Sequence, residues 1–214
     1  KEPLSVSLWF LRGYATMTEL QDTEYYGRTF TALELAEQKL EGIEFESCHF
    51  NRCDFSGSEI RRCRFIDCGF NDCNFSNLIP SFTRFSEVTF TTCKLTGIDW
   101  TRADWGTLST GAPVEFQRCN LSFTSFLGLS LNGLRMQECR VVEADLRDAD
   151  LSDGHFNGSD FTLSQFGNTD IRRADFTDAE NYSIDVRTCA AEGAVFSRFE
   201  AVRLLESMGL VIAD

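Results

Sequence analysis

Large apolar residues recur every five positions along this chain, and few folds accept such a period. From Tyr25 they run through Phe30, Leu35, Leu40, Phe45, Phe50, Phe55, Ile60, Phe65, Phe70 and Phe75. They pass Pro80 and continue through Phe85, Phe90, Leu95, Trp100 and Trp105. The stretch GTLSTGAPVE, Gly106 to Glu115, then shifts the phase, adding one net residue beyond two repeat lengths. The pattern resumes at Phe116, Leu121, Phe126, Leu131, Met136, Val141, Leu146, Leu151, Phe156, Phe161, Phe166, Ile171 and Phe176. Sixteen of the 20 phenylalanines fall on this register, counting Phe196, which lies four repeats after Phe176. Internal repetition on this scale signals a repeat architecture of about thirty units.

With the large residue called i, position i−2 is usually small: Cys48, Cys53, Ser58, Cys63, Cys68, Cys73, Thr83, Cys93 and Ala103 before the slip, and Cys119, Thr124, Cys139, Ala144, Ala149 and Ser159 after it. In an extended chain i−2 and i point to the same side, so each unit sends one large and one small residue into a shared interior. Five is odd, however, and strand alternation is two. An unbroken strand would reverse its buried face at every repeat. A corner in each unit must restore the inward direction, and short straight sides joined by regular corners make a solenoid whose coils stack about 4.8 Å apart.

All nine cysteines occupy i−2 when the register is extended to Cys189. Three readings are open for them. Buried reduced thiols would act as small apolar filler and suit a reducing, cytoplasmic setting. Disulfides between stacked thiols are allowed by a coil spacing within the disulfide range, although nine is an odd number. A zinc site would normally bring CxxC pairs, which the chain lacks. Filler is the expected role, with no metal and no cofactor.

The triplets Ala144-Asp145-Leu146, Ala149-Asp150-Leu151, Ser159-Asp160-Phe161 and Ala174-Asp175-Phe176, with the thiol versions Cys53-Asp54-Phe55 and Cys73-Asn74-Phe75, resemble the pentapeptide-repeat signature A-(D/N)-L-x-x. The resemblance implies an all-β fold, a right-handed quadrilateral β-helix with four pentapeptides per coil over residues 25–196, broken at 106–115. Seven to nine coils would give a rod of roughly 35–45 Å. Cys53, Cys73 and Cys93 would then share a column, with Cys48 above Cys68. Residues 1–24 are expected to be a leader and N-terminal extension or cap, with Met17 as a natural start rather than a signal peptide. Pro80 marks a further local distortion, because it has no N–H for a ladder hydrogen bond.

Residues 197–214 predict a short C-terminal helix and then an apolar strand at Leu210-Val211-Ile212. Ser197 and Glu200 fit a capping box and Gly209 a helix stop. Phe199, Val202, Leu205 and Met208 repeat at helical spacing and could cap the last coil, pair two chains, or both. This tail resembles those of the topoisomerase-protecting members of the family, the Qnr, albicidin-resistance and microcin B17-resistance proteins. The resemblance implies a homodimer of rods joined end to end through Phe199, Val202, Leu205, Met208, Leu210 and Ile212. It further implies a DNA-mimicking protein that binds DNA gyrase or topoisomerase IV and gives resistance or immunity to a poison such as albicidin. Two large projecting loops found in some Qnr proteins have no counterpart here. The insert offers Gly106, Thr107 and Pro113 as a small loop contact.

The formal net charge of −13 argues against direct nucleic-acid binding, which needs a basic surface. It permits attraction to a basic partner. Asp145, Asp148, Asp150, Asp153, Asp160, Asp170, Asp175 and Asp178 form the candidate DNA-mimic acidic face, with Asp150 expected to stack near Asp170. Aspartate at i−1 can equally serve its own turn. No apolar run is long enough for a transmembrane helix. The two histidines, His49 and His155, stand at outward i−1 positions in no catalytic motif, and an enzyme is not expected. The alternative reading is a repeat scaffold with a partner other than a topoisomerase.

Overall fold

The computed structural model describes residues 20–106 and 114–213. The expected leader, Met17 included, therefore lies almost wholly outside the described residues, as do Thr107 and Pro113. The chain winds into a four-sided β-solenoid of about eight coils, and every strand pairing is parallel. On the first side Glu24–Tyr26, Glu44–Glu46, Arg64–Ile66 and Arg84–Ser86 stack in order. The second side carries the longest sheet, from Thr29–Thr31 up to Arg135–Gln137. The third side is a column of single bridges from Glu34 through Asp54, Asn74, Lys94, Asn120 and Arg140 to Asp160 and Glu180. The fourth begins with Lys39–Glu41 on Glu59–Arg61.

From Tyr25 to Trp100 and from Phe116 to Phe176 the i residues are buried, with Trp105 and Phe196 only partly so, and like rings stack on like. Phe30, Phe50, Phe70, Phe90 and Phe116 form one column with centroids 4.6–5.4 Å apart and planes within 14°. Neighbouring columns meet edge to face, as at Phe70 and Phe75, 5.1 Å and 84°. Both arrangements suit the ring quadrupole.

The corner that the odd period demands falls at i+2, where the backbone turns left-handed. Ser47 (φ 51°), Arg52 (54°) and Asp72 (53°) are examples. The corner N–H is not lost: Arg52 N donates to Asn71 O in the next coil at 2.9 Å.

The i−2 residue does more than fill space. All nine cysteines are buried and free. Cys73 Sγ donates to Phe50 O (3.4 Å) and accepts from Cys53 N (3.3 Å). Cys93 and Cys119 repeat both bonds one and two coils on. Hydroxyls do the same elsewhere: Thr83 Oγ1 donates to Ile60 O (2.9 Å) and accepts from Cys63 N (3.2 Å), and Ser159 Oγ bridges Met136 O and Cys139 N. The filler reading is thus right about burial and incomplete about chemistry. The third-side column runs through five thiols, Cys53, Cys73, Cys93, Cys119 and Cys139. At Cys63 burial pushes the thiol pKa up, holding it neutral as a donor.

The insert is larger than the sequence count suggests. Phe116 pairs with Phe90, 26 positions on, whereas Phe90 pairs with Phe70, 20 positions on. Four sides per coil leave no room for an extra unit, so this coil takes six residues more than the one before it, between the first and second sides. The net shift of one was only six counted against a period of five. At Pro80 the coil stays in place, but the bridge column of the fourth side is interrupted. Glu59 bridges Ile79, and the bridges resume at Asp99–Ser125, where Asp99 caps a 3-10 turn, Trp100–Arg102.

The C-terminal helix is short, Val202–Ser207, and the expected capping box does not form. Ser197 and Glu200 instead bond the last coil: Asp178 N donates to Ser197 Oγ (2.7 Å) and Asn181 N to Glu200 Oε2 (3.4 Å). Open backbone at the end of the solenoid competes for these oxygens and wins. The helix stop does form: Gly209 has φ 83°, its N–H donates to Glu206 O, and Leu210 N donates to Leu205 O, closing a Schellman motif. Residues 210–212 are not a strand; among the described residues nothing pairs with them as a neighbouring strand.

Replacing Cys73 with Ser keeps both coil-bridging bonds and is expected to cost less than about 1 kcal/mol. Cys73→Val fills the space but strands a buried N–H and carbonyl, with an expected loss of about 1–3 kcal/mol. Urea unfolding of the two variants separates these roles; equal losses would return the thiol to simple filler.

Candidate functional site

Three surfaces were legible as candidates: the aspartates, the insert and the C-terminal tail. The aspartates do not share one face, because the five-residue period moves each successive i−1 position to the next side. Asp145 lies on the fourth side, Asp150 and Asp170 on the first, Asp175 on the second and Asp160 on the third. Asp148, Asp153 and Asp178 sit at three different corners with positive φ. Asp150 and Asp170 do stack as expected. The carboxylates therefore ring the C-terminal half of the rod instead of lining one side.

Most of them have work within their own turn. The i−1 carboxylate accepts from the backbone N–H two residues on: Asp145 from Arg147 (3.2 Å), Asp150 from Ser152 (3.0 Å), Asp160 from Thr162 (3.0 Å), Asp170 from Arg172 (3.0 Å) and Asp175 from Thr177 (2.9 Å). Arg147 and Arg172 fold back onto the same carboxylates, and these side-chain bonds hold Asp145 and Asp170 below the usual carboxylate range. Partial burial opposes ionisation of Asp160 and Asp175. Bonds from Thr162 and Asn181 to the first, and from Thr177 and Asn157 to the second, outweigh it and lower both pKa values.

The corner aspartates are engaged differently. Asp153 takes both Arg173 nitrogens at 2.7 Å and Asn132 at 2.9 Å, which hold its pKa at about 2. Asp148 accepts from Asn168 (3.1 Å), and Asp178 exchanges bonds with Ser197. Surface pairs of this kind leave net charge in the field while adding little stability.

Of the three loop-contact candidates, Gly106, Thr107 and Pro113, only Gly106 is described. Its φ of 64° and its N–H bond to Asp104 Oδ1 (3.0 Å) start the departure from the coil, next to the Arg84–Asp104 ion pair.

The tail divides its apolar residues. Leu204 and Phe196 pack against the core. Ser207 Oγ reaches Ile184 O (2.6 Å) and Arg203 reaches Asn181 (3.1 Å), so the helix is tied to the last coil. The expected stripe does not cap: Phe199 is 88% exposed, and Val202, Leu205, Leu210 and Ile212 are exposed with Val211, while Met208 is half-buried. Capping falls to Leu204, one position off the predicted stripe, and the stripe itself faces solvent at the end of the rod. Among the described residues no group of histidine, cysteine and carboxylate side chains is placed to hold a metal ion.

Sequence reading missed the corners. Phe82, Phe123 and Leu163 occupy i+2 positions and stand exposed; the signal available was their place off the five-residue register.

Comparison with known proteins bears on the fold. Residues 43–126 match the family profile described as "Pentapeptide repeat region", and residues 115–153 and 142–178 match "Pentapeptide repeats (8 copies)". No curated protein sequence matches the chain. Among solved structures, the chain is similar to a trypsin-treated variant of QnrB1, described as a plasmid-mediated fluoroquinolone resistance protein, with 22% identity, 89% of this chain and 100% of that chain covered, and a TM-score of 0.49. It is also similar to HetL, a pentapeptide repeat protein involved in heterocyst differentiation regulation from the cyanobacterium Nostoc sp. strain PCC 7120, with 15% identity, coverage of 79% and 85%, and a TM-score of 0.41.

The Asp153–Arg173 contact gives a sign that can be checked. A carboxylate with a depressed folded pKa contributes stability that is present above its unfolded pKa, near 3.9, and is lost as pH falls toward the folded value of about 2. Asp153→Asn should therefore flatten the pH dependence of the midpoint of urea unfolding between about pH 4 and pH 2. An unchanged slope would mean the pair contributes nothing.

Proposed function

Since the chain belongs to the pentapeptide-repeat family, we propose that it is a binding protein and not a catalyst, a DNA-mimicking rod that engages DNA gyrase or topoisomerase IV. In that role it protects the enzyme in the cytoplasm from a poison such as albicidin. The observation that carries this reading is a net charge of −13 on a rod, with the C-terminal aspartates placed on all four sides. Duplex DNA presents charge around a cylinder, and a basic groove that closes around DNA meets carboxylates whichever way this rod is turned. Long-range attraction of that kind speeds encounter and falls with salt.

The exposed tail supports the second half of the reading. Phe199, Val202, Leu205, Leu210 and Ile212 gather at the free end of the rod, and a matching end on a second chain would bury them. Two rods joined there would span roughly 80 Å at about 4.8 Å per coil. Leu205→Asp should leave circular dichroism unchanged, because the side chain is already exposed, and should halve the mass seen by light scattering. A dimer that persists would place the pairing elsewhere.

A scaffold role with another partner is the competing reading. It is favoured by the local bonds of the i−1 aspartates, which would be kept for the turn alone. A gyrase supercoiling and DNA-cleavage assay with albicidin, microcin B17 or a fluoroquinolone decides. Restored supercoiling with one poison is the expected result and names the toxin. Inhibition without rescue would keep the DNA mimic and remove protection, and no effect at micromolar protein would leave the scaffold.

A further inference from the structure

Position i+2 is the least hospitable place in each repeat for a large apolar side chain. The backbone there has positive φ, which disfavours L residues with bulky side chains and is best met by Gly, Asn or Asp. The corner also points into water. Three described corners nonetheless carry such a residue: Phe82 (φ 54°), Phe123 (φ 63°) and Leu163 (φ 60°), exposed by 65%, 60% and 70%. Two of them are among the four phenylalanines off the five-residue register.

They are not scattered. Phe123 and Leu163 lie on the corner leading into the fourth side, two coils apart, with Glu143 between them (φ 54°). Phe82 lies on the corner leading out of that side. Leu127, 41% exposed, projects from the side itself. Among the described residues, the two corners bounding the second side carry no large apolar side chain. Fold stability has no use for this arrangement, since it combines backbone strain with apolar side chains exposed at the corners bounding a single side.

We propose that the fourth side and its two corners are the docking face for the protein partner. Phe123 and Leu163 are paired anchors about 10 Å apart, from two coil spacings of about 4.8 Å. Phe82 engages across the same side. This rests on the topoisomerase reading above and adds to it: a duplex has no apolar knobs, so mimicry of phosphate alone does not call for them. The anchors require apolar pockets on the partner, of the kind that hot-spot aromatic residues fill. Glu143 stands between the paired anchors, Asp145 lies on the side itself bonded by Arg147, and Asp148 lies at the corner leading out, so the field about the anchors is acidic and favours a basic rim on those pockets.

The full chain carrying Phe123→Asn and Leu163→Asn tests this, because Asn tolerates a left-handed corner. The double variant is expected to melt about 2–4 °C higher than the parent and to bind purified gyrase or topoisomerase IV about tenfold or more weakly. Thr92→Asn, at a left-handed corner away from the fourth side (φ 52°), should leave affinity unchanged. A double variant that melts lower would make the side chains part of the fold and overturn the proposal. Unchanged melting or higher, with unchanged affinity, would overturn the anchors and leave the topoisomerase reading intact. A parent protein that binds neither enzyme would overturn that reading, and the partner assigned here with it.

Discussion

A period of five imposed on a backbone whose side chains alternate every two residues is the constraint from which the rest of this molecule follows. The mismatch is resolved once per repeat by a left-handed residue at i+2. That residue turns the chain to the next side and brings i−2 and i back to the interior. Parallel stacking, columns of identical rings and a four-sided section all come from repeating that corner. So does the tolerance for exposed Arg, Asp and Ser at positive φ. The strain of most corners is offset by an N–H bond to the coil above, as from Arg52 N to Asn71 O, and by the buried i residue two positions earlier.

The interior is correspondingly less inert than its composition suggests. A small residue at i−2 leaves a backbone N–H and a carbonyl of adjoining coils facing each other. A thiol or hydroxyl such as Cys73, Cys93, Cys119, Thr83 or Ser159 meets both, whereas Ser58 and Thr124 bond a carbonyl of their own turn. This accounts for the interchange of Cys, Ser and Thr along one column, as at Cys139 below Ser159. Alanine also fits the space but leaves the bridge unmade. Eight of the nine cysteines, all but Cys189, are thus hydrogen-bonding links between coils.

Much of this was legible in the residues. The spacing of Phe30, Phe50 and Phe70 predicts their stack, and the inward pointing of Cys73 follows from its place two residues before Phe75. What was hidden was set by the return of the coil. The number of extra residues in the insert cannot be read from phase alone, because a shift of six looks like a shift of one against a period of five. The tail failed in the same way. Ser197 and Glu200 have the spacing of a capping box, yet tertiary demand from Asp178 and Asn181 takes their oxygens. The candidate site was legible as a charge but not as a surface. Eight aspartates read as one acidic face, whereas the period distributes them around the rod.

That distribution clarifies how one surface can serve both the fold and a partner. An i−1 carboxylate such as Asp145 spends one oxygen on the N–H of Arg147 and is held below the usual carboxylate range while doing so. The turn bond in fact favours ionisation, so repeat chemistry and an acidic field are not rival explanations of the same aspartate. A field from all sides attracts a basic groove without choosing an orientation, and long-range attraction of this kind governs encounter more than residence. Orientation needs features that break the fourfold sameness of the coil. On the rod these are few: the insert between the first and second sides, the tail at one end, and the apolar corners about the fourth side. Recognition that is both fast and specific would draw encounter from the repeat and choice from its exceptions.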